Sequence, residues 1–451
     1  MLSGNAIDVT TTIEEAPFGR FQVLIIALCA WIALLDGFDT QAIAYVAPVV
    51  AEQWNLSVSA FGPIFGAGLI GLAIGAFVFS PVADRFGRRR VILLSVLLFG
   101  ACALATTWAS SLNELLVCRL LTGLGLGGAM PNIIALTSEY APARLRAMLI
   151  AIMFCGFPLG STLGGFVSAP LMSSFGWQSV FLLGGLLPLG TIIVLAIWLP
   201  ESIRFLVARG GEDKAAASLL LRLNPAAGVS KTSSFVVADP PATGFPVTHL
   251  FLEGRAAMTA LLWAAFFMNL LVMYFLVNWL PSLLKASGLP INIAILSTAI
   301  LNLGGVLGAL TLGRMADRLD PCLVLGGAYA TSAMFIVVIA AGADTLWVLM
   351  TATFLAGFGI VGAQIGMNAL AAGLYPTAVR STGVGWALGV GRIGSIIGPV
   401  VGGLLLGAGW TAQSVVLAAT VPALLASLSV FALRNRRPDR PFLTSTATLQ
   451  H

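Results

Sequence analysis

The chain has 451 residues, 58% of them hydrophobic and only 9% charged, with a net charge of +5. Soluble domains carry about 25% charged residues, so this composition excludes a soluble enzyme and describes a polytopic membrane protein whose 50 glycines let helices approach closely. The surplus charge lies in short loops, where it sets topology and gives no reason to expect nucleic acid. Five cysteines without paired spacing, and two histidines (His249 and His451) outside the apolar runs, give no disulfide framework, metal site or histidine relay, and no cofactor is expected.

In chain order, residues 1–20 form a polar tail with Asp8, Glu14 and Glu15, the wrong charge for a signal peptide. A bilayer core needs roughly 20 apolar residues per helix. Runs of that kind predict twelve spans at 21–49, 58–80, 91–109, 113–137, 146–168, 177–199, 256–280, 292–313, 322–342, 345–370, 380–407 and 411–433. The fold class is therefore all-α and polytopic, with twelve transmembrane helices in two six-helix bundles at 21–199 and 256–433. A polar linker, 200–255, joins them, and residues 434–451 form a C-terminal tail.

The first span holds ALLDGFDTQAI, which buries Asp36 and Asp39. Each carboxylate is disfavoured there by roughly 2.5–3.5 kcal/mol on insertion scales, so a functional reason is required. Three residues on a helix is about 4.5 Å of rise on nearly one face. Carboxylates that close cannot both ionise cheaply, and the pair is expected to share its titration. The alternative is that an arginine neutralises one aspartate and merely fixes helix packing.

After the second span, PVADRFGRRR makes a tight charged turn with Asp84, Arg85, Gly87, Arg88 and Arg89. There Asp84 is expected to face a helix N-terminus or a loop arginine such as Arg144. Glu139, in the neighbouring stretch SEYAPARLR, joins this set, and breaking such contacts would gate a central cavity. The fourth span holds Arg119 in CRLLTGLGLGG, where Gly123, Gly125 and Gly127 give a smooth face for a neighbouring helix. Arg119 is a counter-charge for the span-one carboxylates, or else it snorkels to the outer surface. Arg392 lies well inside the eleventh span, in LGVGRIGSIIGP, and the repeat described below places uncharged Phe157 opposite it. It is expected to meet an anionic substrate through a bidentate carboxylate contact, the alternative being a span-one aspartate. Tyr45, Asn132, Phe154, Tyr274, Asn278, Gln364, Asn368 and Trp386 are candidates to complete the cavity.

Of the 23 lysines and arginines, 20 fall on one side of this topology, which places both termini and the linker in the cytoplasm. The halves also repeat. SPVADRFG is echoed by GRMADRLD, TGLGLGG by AGFGIVG, SEYAPARLR by GLYPTAVR and GSTLGG by GSIIGP, at offsets of 233 or 234 residues and in the same order. Parallel duplication of a six-helix unit is a recurrent transporter plan, with the substrate between the halves near mid-membrane.

At PVADRFGRRR, at Arg119 with its three glycines, and at PESIRFL (200–206), the chain resembles the major facilitator superfamily. Ser80 stands where that family's loop usually has its first glycine, and Ile203 where it commonly has proline. More narrowly, LLDGFDTQAIAYVAP, LTGLGLGGAMPN, SEYAPARLR, FCGFPLG and WLPESIRFLV are similar to the aromatic acid:proton symporters. Asp36, Gly37 and Asp39 match their D-G-x-D motif. The resemblance implies a monomeric symporter in a bacterial inner membrane. It would import an aromatic carboxylate such as benzoate, hydroxybenzoate or protocatechuate with protons, by alternating access. A carrier of another organic acid or of a sugar, and a transporter-shaped sensor of aromatic acids, are the competing readings.

Overall fold

The computed structural model describes residues 7–142, 144–209, 213–224, 235–236, 247–252, 254–342, 345–375 and 380–436. His451 and the outer parts of both tails, named above, lie outside the described residues. Among the described residues, twelve helices are long and apolar enough to cross a membrane. In the first half, spans 1 to 6 are Arg20–Gln53, Val58–Phe86, Arg88–Trp108, Leu112–Tyr140, Met148–Phe175 and Gln178–Trp198. In the second, spans 7 to 12 are Ala256–Ala286, Ile291–Arg318, Pro321–Ala340, Leu346–Leu374, Thr382–Gly407 and Ala412–Arg434. In lipid each backbone polar group must be satisfied within its own segment, so an apolar run of this length has little choice but helix. Polar side chains mark several starts: Ser111 accepts from the Glu114 amide, and Asp320 accepts from the Cys322 amide at 2.8 Å.

Spans 2 and 8 run five or six residues past their predicted ends, to Phe86 and Arg318. Hydropathy falls at the bilayer surface, but the helix continues until Gly87, at φ +99°, turns the chain into span 3.

The duplication is visible in backbone contacts. A Cβ placed on Gly71 would lie 2.1 Å from the carbonyl oxygen of Leu120, and one on Gly123 would lie 2.0 Å from that of Gly68. The second half repeats this: a Cβ on Gly304 would fall 2.1 Å from the Phe354 carbonyl oxygen, and one on Gly357 would fall 1.9 Å from that of Leu301. Spans 1 and 5 touch the same way at Gly160 against Leu34, as do spans 11 and 7 at Gly394 against Phe267. That register sets Arg392 opposite Pro158, correcting the Phe157 match by one position. Because the backbones themselves are in contact, Gly160→Val is expected to destabilise the fold by about 1–3 kcal/mol or more. A lowered thermal unfolding midpoint in detergent checks this; an unchanged midpoint contradicts the contact.

The bundles meet through spans 1 and 7, 2 and 11, and 5 and 8, whereas spans 4 and 10 pack almost wholly within their own halves. One apolar core, holding Val46, Phe61, Phe65, Trp177, Trp279 and Leu283, joins both bundles at the end away from the linker. Two separate cores occupy the linker end. One belongs to the first bundle around Ile92, Phe99 and Leu136, and the other to the second around Phe266, Leu325 and Met367. The molecule is thus sealed at the far end and divided at the linker end. Polar contacts strengthen the seal: the Gln41 amide donates to the Val277 carbonyl at 2.6 Å, and Lys285 pairs with Glu52.

The first tail and the linker carry more structure than a polar connector needs. Ile7–Asp8 pairs in parallel with Phe235–Val236. Helices Val9–Glu15, Ile203–Arg209 and Asp213–Leu223 bury Val9, Ile13, Ala216 and Leu220 in the core of the first bundle. Together they form a small cap beneath it.

Candidate functional site

Span 1 carries both aspartates into the interior, each only 1% exposed. They have different partners. Asp39 Oδ2 meets Arg119 Nη1 at 3.3 Å, while its Oδ1 has no hydrogen-bond partner. Arg119 is 3% exposed, so it does not snorkel to a surface. Its Nη2 donates to Thr106 Oγ1 at 2.9 Å, its guanidinium lies 4.7 Å from the Phe181 ring centroid, and its Nε is unpartnered. A buried ion pair gains from mutual attraction but loses the hydration of both ions. With Asp39 Oδ1 and Arg119 Nε unpartnered, this pair is only partly compensated.

Asp36 accepts from the Thr40 hydroxyl at 3.0 Å, and its Oδ2 has no partner. It lies within electrostatic range of Asp39 and, from the other bundle, of Arg392. Arg392 makes no ion pair among the described residues, and the Tyr274 hydroxyl lies within hydrogen-bond reach of its guanidinium. Four ionisable groups therefore run across the molecule, Arg119 to Asp39 to Asp36 to Arg392, closed by an ion pair at one end and open at the other. A cavity of about 30 Å³ beside Asp39, Thr40, Arg119, Thr122 and Asn278 has room for about two waters. Asn278 belongs to span 7, so this cavity lies between the bundles.

The other candidates scatter. Tyr45 is fully buried and donates to the Ser161 carbonyl at 2.6 Å, which makes it a clamp between spans 1 and 5. The Asn132 amide is spent on the Gly128 carbonyl one turn back. Phe154 packs against the linker-end core of the first bundle. Trp386 stacks on Trp263 with 5.8 Å between centroids and is 46% exposed, about 9 Å along the helix from Arg392. Gln364 accepts from Asn269 and donates weakly to Asn368, forming an amide chain between spans 7 and 10. Asn269 and Thr106 were missed by sequence reasoning. Asn269 signals itself as an amide within an apolar run, whereas Thr106 offers no signal, since threonine is ordinary at a helix end.

The linker-end turn also differs in its partners. Asp84 is 76% exposed and lies 3.8 Å from Arg88, while Arg144 is exposed at the surface and does not meet it. The strong contact is Arg88 Nη1 to Glu139 at 2.8 Å, with Ser202 donating to the same carboxylate and accepting from Arg88. Arg89 donates its backbone amide to Glu201, whose carboxylate also sits where a Cβ on Gly87 would fall. Arg85 lies over the Phe86 ring. The Glu201 and Ser202 contacts tie the first bundle to its own cap, and the others lie within that bundle. Arg88→Gln leaves Glu139 buried without its cation, so a stability loss of about 3 kcal/mol is expected. The unfolding midpoint in detergent should fall, and partial recovery in Arg88→Gln/Glu139→Gln would separate charge from packing.

A duplicated twelve-helix body, sealed at one end, with four ionisable groups in its interior, has the build of a membrane transporter. The Major Facilitator Superfamily profile matches residues 29–310 and again 262–449, and the chain belongs to that superfamily. It is 42% identical to the 4-hydroxybenzoate transporter PcaK of Pseudomonas putida over 432 residues, covering 95% of this chain and 96% of the relative. It is 43% identical to the gallate transporter of Pseudomonas putida, covering 96% of each. In fold it is similar to the crystal structure of a bacterial homologue of the human lysosomal transporter Spinster in an inward-facing conformation. That match has a TM-score of 0.71 at 16% identity, covering 94% of this chain and all of the other.

Proposed function

We propose that the chain is a proton-coupled symporter that brings a hydroxylated aromatic carboxylate across a bacterial inner membrane. The observation that carries this reading is Arg392, in no ion pair among the described residues, within electrostatic range of Asp36, whose Oδ2 has no hydrogen-bond partner. The relatives named for 4-hydroxybenzoate and gallate support the substrate class. Both termini and the linker lie in the cytoplasm, so the divided end opens inward. The chain divides into bundles at 21–199 and 256–433 joined by the linker 200–255.

The order of events follows from charge. An aromatic carboxylate seeks Arg392, where two parallel hydrogen bonds are available. While Asp36 and Asp39 share a full negative charge, a third carboxylate beside them is repelled. A proton taken from outside, held on Asp39 and felt at Asp36, removes that repulsion and admits the anion. Protonation also frees Arg119 from Asp39, loosening the tie between spans 1 and 4 so that the bundles rock. The Glu52–Lys285 contact and the Gln41–Val277 bond are remade at the outer end, while the linker-end network around Arg88 and Glu139, which lies within the first bundle and its cap, moves with that bundle as a unit. The amides of Asn269, Gln364 and Asn368 are partners for ring hydroxyls.

Energetics favour the same scheme. An anion entering a cell works against about 2.3 kcal/mol per charge per 100 mV. One proton cancels that cost. Because the protonated aspartates are the form that admits substrate, uptake rises as external pH falls. Asp36→Asn, permanently neutral, should bind substrate with a weaker pH dependence than the wild type, since Asp39 alone then holds the titrating proton. The test is uptake of radiolabelled 4-hydroxybenzoate into membrane vesicles with an imposed pH gradient. Accumulation that collapses with an uncoupler supports the symporter. Uptake indifferent to uncoupler removes the proton, and binding without accumulation would favour a sensor.

A further inference from the structure

We propose that the cavity between the linker-end tips of spans 3 and 6 and the cap helices binds the phosphate headgroup of an anionic phospholipid. This site is separate from the transport pathway and does not depend on the proposed substrate. The cavity has a volume of about 400 Å³ and is walled by Arg89, Arg90, Arg209 and Arg222 against one carboxylate, Glu201. Glu201 is turned toward backbone: its Oε1 accepts from the amides of Arg89 at 3.1 Å and Ser202 at 2.9 Å. Among the described residues, Arg89, Arg90 and Arg222 make no ion pair, and Arg89 Nε is buried without a partner. Aromatic rings hold two of the guanidinium groups, Arg222 at 5.8 Å from the Phe21 centroid and Arg209 at 6.0 Å from that of Phe205.

A cluster of guanidinium groups with spare donors calls for an oxyanion with several acceptor oxygens, which a phosphodiester supplies. Placement decides that the oxyanion is tethered to lipid. The cavity sits where spans 3 and 6 leave the apolar region, and its wall includes Ile197 and Trp198. From there, apolar side chains continue along the lipid-facing sides of both spans, with Ile193 67% exposed and Leu97 48% exposed. Acyl chains would lie along this track while the headgroup enters the arginines, and Trp198, at 56% exposure, marks the interface. A free anion would use the arginines but leave the track uncovered.

The bound lipid would join span 3, span 6 and the cap, and so stabilise the part of the first bundle that carries Arg88 and Glu139. The test is native mass spectrometry of the full chain in detergent with equal amounts of phosphatidylglycerol and phosphatidylcholine. An arginine near an anionic headgroup contributes about a factor of five. The wild type should therefore retain phosphatidylglycerol by roughly tenfold or more over phosphatidylcholine. Arg90→Gln/Arg222→Gln should lose most of that preference. Should the double variant not fold, Arg90→Gln alone, at an exposed position, must still lower it. A wild type without preference, or a variant that keeps the full preference, overturns the proposal. So does inorganic phosphate that raises the unfolding midpoint as far as phosphatidylglycerol does, since the site would then take a free anion.

Discussion

Asp39→Asn is expected to leave the protein able to exchange one aromatic acid molecule for another across the membrane, yet unable to accumulate it. Asparagine keeps an acceptor oxygen toward Arg119 Nη1, now 3.3 Å from the carboxylate, so the link between spans 1 and 4 retains its shape. What it loses is the proton. With one proton coupled to each substrate, a one-unit pH gradient supplies about 1.4 kcal/mol, or about tenfold accumulation, and two units about a hundredfold. All of that should vanish in the variant. Counterflow of labelled against unlabelled 4-hydroxybenzoate is the internal control, because it needs binding and rocking but no net proton movement. Loss of both activities would indicate that Arg119, stranded without its counter-ion, has disrupted the bundle. Retention of accumulation would remove Asp39 from the coupling path.

Arg392→Ala is expected to remove substrate binding itself. A bidentate pair between guanidinium and carboxylate consists of two charge-assisted hydrogen bonds, each contributing about 1.5–3 kcal/mol. A loss of about 3 kcal/mol weakens binding by roughly a hundredfold. Arg392→Lys keeps the charge but not the fork, so it should recover only part of that loss. Both exchange and accumulation should fail at low substrate concentration in Arg392→Ala, in contrast to Asp39→Asn. Removing Arg392 takes a nearby cation from the buried Asp36 and a neighbour from the Tyr274 hydroxyl, so the unfolding midpoint is measured in parallel, and Arg392→Lys, which keeps the charge, separates lost binding from lost stability. Normal binding of aromatic acids by Arg392→Ala would place the anion elsewhere.

The spans were legible because the bilayer leaves a long apolar run one secondary structure. Their ends were less so, since helix continues past the hydropathy edge into loops such as that at Asp84. The four central charges were legible for the same reason that they are costly: an ionisable residue in an apolar run needs a partner or a task. Sequence could not tell which aspartate would pair. Both lie on one helix face, and only the packing of spans 4 and 11 gives Arg119 to Asp39 and brings Arg392 toward Asp36. Tyr45 shows a harder limit. A tyrosine within a span reads alike whether its hydroxyl meets a ligand or, as here, the carbonyl of Ser161. At the linker-end turn the acid and base were recognised, but Arg88 pairs with Glu139 because Gly87 folds span 3 back against span 4, a three-dimensional fact without a spacing signature. The cap stayed hidden because DKAAASLLLRL is too short and too polar to announce itself. Its apolar face becomes core only against Leu199 and Ile203.

The central claim is that an aromatic carboxylate enters together with a proton held by the span-one aspartates. The most direct measurement is the external pH of lightly buffered, de-energised vesicles containing the purified protein when 4-hydroxybenzoate is added outside. The account predicts that the medium turns alkaline as the acid enters, in proportion to labelled substrate taken up, and that Asp39→Asn abolishes the signal. Entry of labelled acid without any alkaline shift would contradict it.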